Sequence, residues 1–464
     1  SQHITSEGKN MVNKTLFEKW LNDKTLHTIN SISKQVQTDL RKRTYDFKKS
    51  EMVLAGLDKR VRFNKNLGGI EKVTDEKKSH ENEENVSLEN ESKLGPVEDT
   101  DLIKVRFEEK KKINWDNKLY LSPLTTVGNL PFRRICKEFG ADITCGEMSL
   151  ASSLLQMKTP EWALTKRHGS EDLFGVQVCG NNPFVLTRCA QVLQEQTQVD
   201  FIDVNLGCPI DLIYHQGAGS GLLGRKIKLF SIIKTMNSVM EIPLTVKTRV
   251  GIYNCKNVAH EFMGKFSELG VSLITVHGRS REQRYTKSAD WDYIEKCAQL
   301  AKPTPVFGNG DILSFEDYQY AKSNYPSISG CMIGRGALIK PWIFTEIKEQ
   351  KNIDISSKER FDIVQKYVNY GLEHWGSDTM GVENTRRFLL EWLSFLHRYI
   401  PVGLLEYPPQ KINDRPPAYK GRDDLETLMA SSNCNDWIKI SEMLLGPVPE
   451  GFHFLPKHKA NSWK

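Results

Sequence analysis

The chain has 464 residues, too many for one ordinary domain and enough for a large domain joined to a smaller one. Its formal charge of +6 is mild, so it permits a polyanionic partner without requiring one. Nine cysteines, odd in number and without a Cys-x-x-Cys pair, speak against a disulfide framework and a structural zinc site, so no metal is expected and a reducing compartment, cytoplasmic and/or nuclear, follows.

Residues 1–117 read as a polar, largely disordered N-terminal extension. They hold a short amphipathic pattern around Leu16, Trp20 and Leu21 and a basic stretch over 41–49, then a Glu/Lys/Asn/Ser-rich linker over 71–100 with too little apolar surface to order itself. The first residue is Ser1 rather than Met, which implies further sequence upstream. There is no apolar signal-peptide core, and no run approaches the roughly 18 apolar residues of a membrane helix, so no membrane partner is expected.

From Lys118 the character changes, and short β-branched, apolar runs alternate with helical patterns. Strands are predicted over 119–124, 142–148, 173–178, 201–205, 244–248, 273–277, 305–309 and 330–334. Eight such β–α units across 118–340 predict an α/β fold, a (β/α)8 TIM barrel with its site at the C-terminal strand ends. After Pro341 the strand signal stops, and Phe388, Leu389, Trp392, Leu393 and Leu396 recur at helical spacing. Residues 341–446 read as a separate helical domain, and 447–464 as a basic tail with Lys457, His458, Lys459 and Lys464.

The predicted strand ends carry Pro123, Glu147, Gln177, Asn205 with Cys208, Lys247 with Arg249, His277, Asn309 and Arg335. Polar, chemically competent residues at nearly every end favour an enzyme over a scaffold, although any one of them alone is an ordinary turn residue. The last two loops, Gly308–Asp311 and Gly334-Arg335-Gly336, combine close backbone approach with a guanidinium, which suits a phosphate-bearing cofactor; the alternative is two plain Gly-rich turns. A rival phosphate motif over Gly219–Gly224 fits G-x-G-x-x-G but does not follow a strand directly, so a dinucleotide fold is rejected. Cys208 alone among the cysteines follows a strand end in a Gly-Cys-Pro turn. Lys247 and Arg249, two apart on one strand, face the same way and call for an anion, either a bound one or Glu147 or another barrel carboxylate.

Ser122–Thr125, Gly146–Met148, Val176–Val178, Asn205–Pro209, Lys247–Arg249, Val276–Arg279, Gly308–Asp311 and Gly334–Gly336, in this order, resemble the tRNA-dihydrouridine synthases. The likeness is nearest the eukaryotic branch acting on uridine 47 of the tRNA variable loop. It implies FMN held by Pro123, Leu124, Thr125, Gln177, Lys247, His277, Asn309, Gly310, Asp311, Gly334 and Arg335, with NADPH or NADH as reductant. It also implies Cys208 as the proton donor, and a helical domain that binds RNA. Animal members carry CCCH zinc fingers upstream, yet this chain has no cysteine before Cys136.

On that basis hydride adds at uracil C6 and Cys208, whose ordinary pKa of about 8.5 keeps it a thiol near neutrality, protonates C5. Asn205 and Arg249 are expected at the substrate. The tRNA, with mRNA as a second RNA candidate, is expected against Arg279, Arg281, Arg284, Tyr285 and Lys287, and against Arg386, Arg387, His397 and Arg398 of the helical region. The competing readings are an FMN barrel for a small pyrimidine-like substrate and a catalytically inactive RNA-binding relative. A monomer is expected.

Overall fold

A computed structural model describes residues 27–65, 110–285 and 287–457. Eight parallel strands form its centre: β1 (Leu119–Leu121), β2 (Thr144–Cys145), β3 (Phe174–Cys179), β4 (Phe201–Leu206), β5 (Leu244–Arg249), β6 (Leu273–His277), β7 (Val306–Asn309) and β8 (Gly330–Ile333). They are neighbours in chain order, β8 pairs β1, and the bridge Tyr120↔Ile143 joins β1 to β2, so the sheet closes into the expected barrel. Strands buried on both faces read as continuous apolar runs, which is why six of them fall within one residue of their predicted bounds at each end.

Two strands are shorter than predicted. β1 stops at Leu121 just before Pro123, which has no N–H for the ladder. β2 stops at Cys145; at the next residue, Gly146, the chain passes Leu164 so closely that a Cβ there would lie 2.4 Å from its carbonyl oxygen. Pairing with β3 resumes only at Ser149–Leu150.

Side chains of Tyr120, Phe201, Phe307 and Met332 fill the barrel's interior, with Trp115 below them. The outer layer packs helices such as Pro183–Gln196 and Lys226–Val239 on the barrel wall. The expectation of a largely disordered extension is corrected for residues 27–56. Strand Thr28–Ile29 pairs antiparallel with Arg167–His168, and helix α1 (Lys34–Lys42), capped by Ser33, buries Leu40 in the barrel's outer core. Helix α2 (Lys48–Lys65) follows and lies beside Pro183–Gln196, with Ser50 bonded to Gln191 Oε1 through its N–H at 3.0 Å and its hydroxyl at 2.7 Å. The pattern around Leu16 and Trp20, the 71–100 linker and His458 onward lie outside the described residues.

Beyond the barrel come helices α3 (Ser357–Trp375), α4 (Thr379–Leu396), α5 (Asp424–Met429) and α6 (Cys434–Leu445). Ser356 and Glu359 form a capping box at the start of α3. These helices share one continuous core with the barrel: Leu119, Leu121 and Ile333 lie in the same cluster as Val364, Leu389 and Trp392. Among the described residues, no helix is long and apolar enough to cross a membrane.

Candidate active site

A cavity of about 680 Å³ opens at the C-terminal strand ends. Every residue expected at the cofactor lines it: Pro123, Leu124 and Thr125 after β1, Gln177, Lys247, His277, Asn309, Gly310, Asp311, Gly334 and Arg335. So do Asn205, Cys208, Arg249, Arg284 and Tyr285.

Its floor is a relay of single-orientation hydrogen bonds. Thr245 Oγ1 and Gln177 Nε2 donate to the two oxygens of buried Asp203 at 2.6 and 2.7 Å. Gln177 Oε1 is thereby left to accept from Asn205 Nδ2 at 2.8 Å, and Asn205 Oδ1 accepts from the N–H groups of Gly207 and Cys208 at 3.1 and 2.8 Å. Ser220, within the Gly219–Gly224 turn, donates its hydroxyl to Cys208 O at 2.8 Å, so that glycine-rich turn buttresses the Cys208 loop and follows no strand. Asp203 was not singled out in the sequence. Strand alternation could have found it, since it shares a face of β4 with Asn205.

The cavity is cationic. Arg249 is buried and spends its donors on carbonyls, Gly207 O and Ser280 O, both at 2.9 Å. Lys247 Nζ lies 3.4 Å from Asn309 Oδ1. Among the described residues neither has a carboxylate at ion-pair distance, and Glu147 instead accepts from the N–H of Thr126 at 2.6 Å, so the alternative of a barrel carboxylate pairing these cations is overturned. Burial first, then Arg249, brings the Lys247 ammonium down to about 8. Burial, then Arg249, Lys247, Arg279 and Arg335, hold His277 well below its ordinary value, so the ring is neutral near pH 7. Burial pushes the Cys208 thiol up, partly offset by the Ile210 N–H, Arg249 and Lys247, which keeps it protonated.

Several expected RNA contacts are corrected. Arg279 is 0% exposed and its Nη2 donates to both oxygens of Asp311 at 2.6 and 2.7 Å, so it cannot face RNA. Asp311, expected at the cofactor, is fully engaged by Arg279, by Arg335 at 2.6 Å and by the Ala289 N–H at 2.7 Å; it is the anchor that aims Arg335 into the cavity. Arg335 also lies over the Tyr285 ring, 4.7 Å from its centroid. Arg281 pairs with Asp211 and stacks on Tyr214 at 3.8 Å. Arg386 is buried against Ser441 and the Gly446 carbonyl, His397 is buried beside Trp437, and Arg398 holds the carbonyls of Lys411, Ile412 and Asp414. Arg284, Lys287 and Arg387 remain exposed.

The donor set fits an anionic, phosphate-bearing cofactor. Lys247, Arg249 and Arg335 supply positive charge beyond what Asp311 compensates, and Gly310, at φ 134°, brings backbone where a Cβ would lie 2.5 Å from that of Ala289. A closed parallel barrel whose strand ends surround a cationic cavity with a poised thiol defines a barrel enzyme that works with an anionic cofactor.

The profile of the dihydrouridine synthase (Dus) family matches residues 120–395. Proteins named tRNA-dihydrouridine(47) synthase (NAD(P)+)-like are similar along the chain. The Xenopus tropicalis protein is 55% identical over 100% of this chain and 71% of its own length, and the human protein 52% over 100% and 72%. The Arabidopsis thaliana protein is 52% identical over 85% of this chain and 58% of its own. The chain belongs to the dihydrouridine synthase family.

Proposed function

We propose that this enzyme reduces the C5=C6 bond of one uridine in tRNA to 5,6-dihydrouridine, using FMN and NADPH or NADH, at position 47 of the variable loop. The observation that carries the reading is Cys208, a protonated thiol fixed by Asn205 over a cavity in which Lys247 and Arg249, among the described residues, have no carboxylate at ion-pair distance. The names of the Xenopus, human and Arabidopsis relatives support tRNA, the reductant and the position.

FMN, when bound and reduced, supplies hydride to uracil C6. Lys247, Gln177, His277 and Asn309 would hold it with Pro123–Thr125, and Arg335 with Gly310 and Gly334 would take its phosphate. Hydride addition at C6 leaves the electron pair on C5 and the C4 oxygen, and Cys208 Sγ gives its proton to C5. Lys247 and Arg249 then face the thiolate that remains, and with neutral His277 they are placed to stabilise charge developing on the uracil oxygen. A stacked base cannot reach this depth, so the uridine must leave its stack and enter the cavity. Exposed Arg284, Lys287 and Arg387 suit contacts to the RNA backbone. Among the described residues no disulfide joins the cysteines, in keeping with a cytoplasmic or nuclear site.

The test is to incubate flavin-loaded protein with NADPH and unmodified tRNA and to map dihydrouridine by nucleoside mass spectrometry, with Cys208→Ala in parallel. Dihydrouridine at one variable-loop position in the parent, lost in the variant, is the expected result. NADPH oxidation with no change in the tRNA would sink the substrate assignment, and a fully active Cys208→Ala protein would sink the acid.

A further inference from the structure

The loop after β1 is clamped from two distant parts of the chain. Thr126 has φ 75°, a left-handed conformation that a β-branched residue adopts only when its surroundings over-determine it. Its N–H donates to Glu147 Oε2 at 2.6 Å, and its hydroxyl accepts from Lys457 Nζ at 2.8 Å. Lys457 arrives on the segment that follows α6. That segment is anchored by Phe452 and Phe454 on the core, by buried Pro456, and by the Lys457 N–H, which donates to Glu391 Oε2 at 3.3 Å. It thereby brings a cation to the wall of the cavity that contains Cys208.

Among the described residues no carboxylate lies within ion-pair distance of Lys457, and its side chain is exposed. A lysine ammonium has three donors, of which Thr126 occupies one. The positions of Cys208 and Lys457 also fix which part of a nucleotide each would meet. Cys208 is buried and must reach C5 of the base, so the ribose and its phosphates stay outward at the rim, where Lys457 stands.

We propose that Lys457 belongs to the RNA-binding wall of the active site, its ammonium taking the backbone phosphate beside the extruded uridine while its bond to Thr126 fixes the loop bordering the cofactor. This rests on the function proposed above. The test compares Lys457→Ala, Lys457→Arg and Lys457→Glu with the parent, following dihydrouridine formation on unmodified tRNA across salt concentrations. Flavin content and flavin reduction by NADPH without tRNA are measured alongside. In Lys457→Ala the KM for tRNA should rise roughly three- to tenfold, well beyond any effect on flavin reduction. The rise should be larger in Lys457→Glu and largely reversed in Lys457→Arg, and the salt slope should shrink by about one in Lys457→Ala. A KM for tRNA in Lys457→Ala within about twofold of the parent would overturn the proposal while leaving the function intact. So would loss of flavin in step with loss of tRNA affinity, which would move Lys457 to the cofactor. A parent protein that forms no dihydrouridine overturns both readings.

Discussion

Each side-chain amide beneath Cys208 has one admissible orientation, and Asp203 sets it. Both Asp203 oxygens accept, which turns the Gln177 amide so that its oxygen faces Asn205 and frees Asn205 Oδ1 for the two loop N–H groups. In Asp203→Ala both acceptors are lost, so nothing keeps the Gln177 amide oxygen turned toward Asn205, and the Cys208 loop loses its fixed register. Misplacing the acid by about 1 Å should lower the rate of flavin oxidation by tRNA about hundredfold, with a much smaller change in KM for tRNA. Stopped-flow flavin absorbance measures this, and a rate within a few-fold of the parent would show that the relay does not position the thiol. The second residue-scale expectation concerns Lys247, brought down to about 8 in the free protein. A bound anion favours its charged form, so between pH 8 and the higher pKa of the complex, the complex holds one more proton than the free protein. Dissociation therefore grows as pH rises through about 8, by up to about tenfold per unit. Titrations of apoprotein with FMN from pH 7 to 9.5 should show that step, and Lys247→Met should abolish it while weakening binding at pH 7.

Among the elements, the N-terminal pair α1 and α2 is the one least legible in the sequence. Its apolar residues are few, and its ties are polar bonds to residues far along the chain: Asn30 donates to Thr165 O at 2.9 Å and accepts from the Gln198 N–H at 2.7 Å, and Tyr45 donates to Glu195 at 2.6 Å. Composition over a window reports only whether a segment can build its own core, and this one borrows the barrel's. Leu40 is where it does so, and Leu40→Ala should cost about 2–4 kcal/mol in chemical denaturation. A loss under about 0.5 kcal/mol, the range of a surface substitution, would mean that the segment is not seated on the barrel. The barrel strands were legible for the converse reason. A strand buried on both faces needs an apolar run of its own, and its polar last residue then stands out, as with His277 and Asn309. Arg279 misled because a basic, aromatic loop looks like an RNA face, while the acid that buries it, Asp311, belongs to the next strand's loop.

At the scale of the whole molecule, periodicity separates helices from barrel correctly but cannot show whose core they complete. Trp392 is fully buried, its indole N–H donates to Leu338 O at 3.0 Å just beyond β8, and its ring meets Phe132 at 5.4 Å beside the β1 loop. Tyr367 of α3 receives a bond from Asn129 at 3.1 Å, Arg134 reaches Glu373 at 2.5 Å, and Lys366 reaches Glu138 at 2.6 Å, so α3 lies along helix Leu130–Glu138 with hydrogen bonds as well as apolar contact. That helix follows directly from the loop holding Pro123–Thr126. Loosening the helical region should therefore be felt at the cofactor. Trp392→Ala removes a side chain worth about 3–5 kcal/mol in such a core. If barrel and helices share one core, far-UV circular dichroism and flavin fluorescence should report a single thermal transition in the parent. In the variant both should move down together, flavin release included. Helix loss at a lower temperature than flavin release, in parent or variant, would divide the molecule into two independently stable domains. In that case the helical region would serve to hold RNA and would contribute nothing to the stability of the catalytic site.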